Sequence, residues 1–181
     1  MSLANNIISF IDALGVIQGV FFGVMLTLLH SRESKPTFFL GAFIILFSLE
    51  PIPNILNDMG VLLQYPQWEL FPVEFHFMAY PLFYIYIRRI SILNTNVKYY
   101  KLLFPGLLEV LIAIIIFCLP SSMKVWIKES PIATLYFFTG VCYTIYVSYL
   151  ILKLILRHTN EVTWQYTLIQ NKTLNLSLIH I

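Results

Sequence analysis

Charge is what this sequence has least of. Of 181 residues only 11% are Asp, Glu, Lys or Arg, against about 25% in an ordinary soluble domain. With 59% hydrophobic residues, the chain cannot cover a water-facing surface and belongs in a membrane. Glycine and proline are also sparse, at 7 and 9, which excludes a low-complexity chain, while 15 Phe and 11 Tyr exclude disorder. The only two cysteines, Cys118 and Cys142, lie within apolar stretches, which excludes a disulfide scaffold and makes them small packing residues. A net charge of +2 offers no footprint for nucleic acid. There is no G-x-S-x-G, no H-E-x-x-H and no phosphate-cradling glycine loop, so no enzyme activity and no cofactor are expected. No His or Cys pair has ligand spacing, so no metal is expected either. The first six residues lack Lys and Arg. The apolar stretch behind them runs to Leu29, beyond the roughly 7 to 15 residues of a signal-peptide core, and reads as a retained anchor.

What is present is long apolar runs. A helix needs about 20 mostly apolar residues to cross the hydrocarbon core. Five stretches come close: Ile7–Leu29, Thr37–Leu56, Glu69–Ile87, Leu102–Leu119 and Ile132–Leu156. Short polar connections separate them, and nothing alternates as the strands of a barrel would. The fold class is therefore all-α, a polytopic membrane bundle of about five transmembrane helices over 1–156.

Orientation follows from the loop cations, because cytoplasmic loops carry the excess. With the N-terminus outside and the C-terminus inside, nine basic residues are cytoplasmic: Arg32, Lys35, Arg88, Arg89, Lys98, Lys101, Lys153, Arg157 and Lys172. Only Lys124 and Lys128 are outside. The third stretch is the weakest, since Glu69, Glu74 and His76 leave an uninterrupted apolar run only from Phe77 to Ile87. Without that crossing, the best four-helix threading places the N-terminus inside and divides the cations less sharply.

Gly15, Gly19 and Gly23 recur every four residues in the first stretch. They put positions without side chains on one face, where another backbone can approach closely. Scattered glycines are also common in membrane helices. Pro51, Pro53, Pro72, Pro81 and Pro105 lie in or near helices and each removes a backbone donor, so kinks are expected there.

Ionisable groups in a membrane are costly, at least roughly 2.5 to 3.5 kcal/mol at a helix centre on translocon-based scales. The threading puts Asp12, Glu50, Glu74 and His76 in the outer leaflet, which suggests an acidic signal-receiving pocket opening outward. The same groups also fit simple hydration near the interface. His76, Tyr80 and Tyr84 share one helical face and form either a hydrogen-bonding stripe or an aromatic packing face. Glu109 is deeper, one turn after Pro105. It must be protonated or paired, and a helix-to-helix hydrogen bond is favoured over a relay.

Four segments together carry a resemblance: ALGVIQGVFFGVMLTLLHSRE at 13–33, the stretch 38–67, AYPLFYIYIRR at 79–89, and LLFPGLLEVLIAIIIFCLP at 102–120. They resemble the membrane half of the bacterial membrane-bound AraC-type transcriptional regulators. The most characteristic run is PLFYIYIRR, a Pro-led aromatic helix end entering a basic loop. The resemblance implies six to eight helices in the inner membrane ahead of a cytoplasmic helix-turn-helix domain. It also implies contacts with the bilayer and with a second copy, and DNA binding only through that C-terminal domain. Related membrane halves precede histidine kinases, and a small self-contained membrane protein or transporter half acting as a dimer is the reading from another class. After Arg157, residues 157–175 read as a cytoplasmic polar segment leading toward a further helix. LSLIHI at 176–181 resembles translated adapter read-through, so the native chain is expected to continue from about residue 175.

Overall fold

The computed structural model describes residues 3–28, 35–73, 75–91 and 99–179. Eight α-helices run in the order α1 (Leu3–Leu28), α2 (Lys35–Leu49), α3 (Ile52–Asp58), α4 (Val61–Gln64), α5 (Ala79–Ile90), α6 (Phe104–Phe117), α7 (Ser121–Glu129) and α8 (Pro131–Ile179). Short 3-10 turns at Pro66–Trp68 and Tyr99–Leu103 complete the secondary structure, and no strand occurs among the described residues. Four helical stretches are long and apolar enough to cross a membrane: Ile7–Leu28, Pro36–Asp58, Tyr99–Phe117 and Pro131–Trp164. The chain is an all-α membrane bundle. Its large apolar side chains face outward over most of these stretches, as in Phe21, Leu111 and Phe138, because lipid takes the place of a buried core.

The expectation of a continuous third helix over Glu69–Ile87 is corrected. Residues 69–73 and 75–78 form no regular helix, and α5 supplies only 12 residues, about 18 Å at 1.5 Å per residue, against a hydrocarbon core of roughly 30 Å. Proline chemistry explains it. Pro72 lacks a donor and disfavours the helical conformation at Phe71. Pro81 falls in the first turn of α5, where its missing N–H has no partner to lose, so it starts a helix where a kink was expected. Leu70 sits at the corner with a left-handed φ of 55°, a conformation that costs a non-glycine residue about 1 to 2 kcal/mol.

Even so, the third segment travels the length of the bundle. Phe71 packs edge-on to Phe117 at one end of α6, with ring centroids 5.6 Å apart. At the other end Arg89 donates to the Tyr100 hydroxyl. The segment is therefore antiparallel to α6. It is antiparallel to α2 as well, since Phe43 stacks on Phe83 at 4.9 Å and the Arg89 guanidinium lies over Phe39 at 4.7 Å. It is parallel to α8: Thr144 Oγ1 reaches the His76 carbonyl at 3.5 Å, and Ser91 Oγ meets His158 Nδ1 at 3.3 Å. Successive long segments alternate in direction, with α3, α4 and α7 gathered at the end away from Arg89.

The α1–α2 pair is the closest helix packing. A Cβ at Gly19 would meet Ser48 Cβ at 2.3 Å, and one at Gly23 would lie 2.9 Å from the Gly41 carbonyl. Gly15 faces open space, with nothing within 4 Å, so the contact face runs through Gly19, Gly23 and Gly41 rather than through all three glycines of α1. At the far end, Ser9 of α1 donates to Asp58 of α3 at 2.9 Å.

Through the polar stretch after Arg157, α8 continues as one helix of 49 residues to Ile179. No Pro and no Gly interrupts it after Gly140. Thr159 and Thr163 satisfy their hydroxyls on the carbonyls four residues back, which keeps them compatible with the helix.

Candidate functional site

The break before α5 leaves backbone donors that the sequence must satisfy elsewhere. The amides of Met78 and Ala79 both bond to the Phe75 carbonyl, at 3.1 Å each. The amides of His76 and Phe77 instead donate to the side chain of Glu109 on α6, one to each carboxylate oxygen, at 3.0 Å. Glu109 is 6% exposed. From a neighbouring helix it holds the turn that leads into α5, bonding the amides of the two residues before the N-cap Met78, which itself makes no side-chain cap.

Two further features fix this geometry. A Cβ at Gly106, one turn before Glu109, would fall 2.7 Å from Met78 Cα and 2.8 Å from the Phe77 carbonyl oxygen. Only glycine lets α6 approach the turn closely enough for the carboxylate to reach both amides. From α8, the Tyr136 hydroxyl donates to Glu109 Oε1 at 2.5 Å, and the Tyr136 ring stacks on the His76 imidazole at 6.0 Å and 17°. His76 is seated over Gly140, whose absent side chain leaves room for the ring, with Phe137 edge-on at 6.3 Å. Three chain segments thus meet at one carboxylate.

Above this centre, α7 clamps the irregular segment. Lys124 is only 1% exposed. Its ammonium donates to the Gln67 carbonyl at 2.7 Å and lies 4.4 Å from the centroid of Phe117. Lys128 pairs with Glu69 at 2.7 Å near the surface. Two lysines one turn apart therefore hold both ends of the 67–69 backbone.

The sequence-derived residues are distributed as follows. Asp12 lies half-exposed on α1 and Glu50 in the turn after α2, toward the end that carries α3 and α7. Glu74 lies outside the described residues. His76 makes its backbone and ring contacts with α6 and α8. The stripe of His76, Tyr80 and Tyr84 does not form one surface, because His76 precedes the helix and turns to α8 while Tyr80 packs toward Phe43 of α2 at 6.3 Å. Tyr84 is half-buried on α5. Gly106, Tyr136 and Lys124 were missed. Gly106 and Glu109 stand at i and i+3 on one helical face, a signal available in FPGLLE. Tyr136 and Lys124 offered none, because their partners are backbone groups and a carboxylate distant in sequence.

Chemically the site can hold a proton or a hydrogen bond among Glu109, Tyr136 and His76, and it can fix or release the start of α5. Among the described residues no three His, Cys, Asp or Glu side chains converge as metal ligands. No protein-family model, no curated protein and no solved structure matches this chain.

Proposed function

We propose that the chain is the membrane sensor module of a bacterial transcriptional regulator. In this reading it crosses the inner membrane five times with the N-terminus outside, and it couples an outside or in-membrane signal to a DNA-binding domain encoded downstream. The observation that carries the reading is the contact of Tyr136 with Glu109. It joins the turn at His76 and Phe77, which lies outside any regular helix, to α8. At 49 residues that helix is about 73 Å long, more than twice the hydrocarbon thickness. A signal that moves the turn would thereby act on a rod leading out of the membrane. Asp12 and Glu50, with Glu74, remain the candidate outer groups through which a cationic or polar ligand acts. The nine-to-two division of basic residues supports the orientation. The alternation of the five segments supports the number of crossings.

A second reading has one observation in its favour. An irregular stretch followed by a short helix is how transporters build a discontinuous helix around a substrate, and a transporter half working as a dimer would use the same break. A kinase output in place of the DNA-binding domain would leave the membrane half unchanged. The deciding experiment is to sequence the gene independently downstream of codon 175. In-frame continuation into further apolar helix and then a helix-turn-helix pattern is expected. A stop codon directly after Ile181 would overturn the sensor reading.

A further inference from the structure

The outer face of α1 carries an amide where hydrocarbon surrounds it. The helix packs against α2 and α3, through Gly19 and Gly23 on one side and Ser9 near its start. Gln18 stands about 140° around the axis from Gly23, at roughly 100° per residue, and is exposed. Within the apolar stretch Ile7–Leu28 it lies about 15 Å from either end, at the middle of a roughly 30 Å hydrocarbon core. Its side-chain amide has no hydrogen-bond partner among the described residues. At that depth neither water nor a lipid headgroup supplies one, and an amide left alone in hydrocarbon is costly.

Around Gln18 the face has a regular spacing. Ile7, Ile11, Leu14, Gln18, Phe21 and Met25 follow one another at alternating steps of four and three, and all six are exposed. A repeat averaging about 3.5 residues is the seam of two helices wound around each other. A polar residue at one inward position of such a seam fixes its register and the number of helices.

The amide also indicates the partner. Copies of one membrane protein insert the same way round, so a twofold axis along the membrane normal sets each seam residue against its own counterpart. Glutamine carries both an N–H donor and a carbonyl acceptor, so two Gln18 side chains at equal depth satisfy each other. We propose that α1 is the interface of a parallel homodimer in which the two Gln18 amides hydrogen-bond at the centre of the membrane. Ile11, Leu14, Phe21 and Met25 pack to either side of them. The contact of α1 with α2 through Gly19 and Gly23 lies on the opposite face, so the dimer forms without rearrangement inside the chain.

The test uses the purified full chain in phosphatidylcholine vesicles, with donor dye on the N-terminus of half the molecules and acceptor on the rest. Energy transfer is followed as lipid dilutes the protein. The wild type shows transfer above that of randomly placed labels. Gln18→Leu, which suits a lipid-facing helix, needs about tenfold more protein per lipid for the same transfer, the worth of an interhelical side-chain hydrogen bond. Gln18→Asn keeps most of the pairing. In a chain whose Cys118 and Cys142 are replaced by Ala, Met25→Cys on the seam forms disulfide dimers several-fold faster than Val24→Cys, a position equally exposed at 39% but turned about 100° away. Transfer no greater than random would mean that lipid or a helix of another protein covers the face, and overturns the proposal. So does a dilution curve unmoved by Gln18→Leu, or equal dimer formation at Met25→Cys and Val24→Cys.

Discussion

Tyr136 and Glu109 meet at 2.5 Å, and through this one hydrogen bond α8 touches the group that holds the turn leading into α5. The same two helices, running parallel, meet again at the C-terminal end of α5, where Ser91 approaches His158 at 3.3 Å. Between the two contacts α5 is a rigid half-helix with buried Leu82 and Ile85. Displacing its start must therefore be felt at its end.

Removing the carboxylate should be costly. Glu109→Ala strands the amides of His76 and Phe77 and the Tyr136 hydroxyl beside it. Each buried orphan costs about 1 to 3 kcal/mol, so a loss of about 2 to 5 kcal/mol is expected in equilibrium unfolding in bicelles or detergent. Glu109→Gln keeps one acceptor oxygen and should lose less. Equal, negligible losses from both would show that the carboxylate does not hold the turn.

The glycines separate cleanly. Gly106→Ala and Gly23→Ala force a Cβ against backbone atoms and should each destabilise by about 1 to 3 kcal/mol. Gly15→Ala meets nothing and gains the helix preference of alanine, up to about 1 kcal/mol. Thermal unfolding of the three variants side by side should show this order, and a Gly15→Ala loss as large as that of Gly23→Ala would contradict it.

The two α7 lysines should also differ. Lys128 is 59% exposed in its pair with Glu69, so Lys128→Gln should cost under about 1 kcal/mol, less in high salt. Lys124→Met keeps the stem but removes a buried charged hydrogen bond to Gln67, worth about 1.5 to 3 kcal/mol. It should also raise protease cleavage within 66–73. Similar cleavage in both variants would mean that the clamp is not at Lys124.

The apolar spans were legible because each is a matter of length and hydropathy, and neither depends on distant partners. The same criterion could not show that Glu69–Ile87 is only half helical. Pro72 and Pro81 were visible, but whether a proline kinks, ends or starts a helix depends on which carbonyls and donors lie nearby. Glu109 stood out from its depth alone. Its partners did not, because two are backbone amides and the third, Tyr136, is one of 11 tyrosines in the chain. The proposed meeting of His76 with Asp12 and Glu50 rests on similar depth alone, and depth says nothing about which way a ring turns once its helix is broken.

Threading is checked by reporter fusions. A fusion at Thr95 should be cytoplasmic, and fusions at Asn57 and Lys124 extracytoplasmic, as the basic residues dictate. Asn57 and Thr95 on one side would mean that the composite third segment does not cross.

The most direct measurement of the coupling itself uses Ser91→Cys with His158→Cys, in a chain whose Cys118 and Cys142 are replaced by Ala, and follows the rate of oxidative cross-linking in membranes. With Glu109 intact the two thiols should cross-link readily. With Glu109→Ala or Tyr136→Phe added at the other end of α5, the rate should fall several-fold while membrane levels stay constant. An unchanged rate in both variants would contradict the account, because the Glu109 centre would then exert no hold on the C-terminal end of α5 against α8.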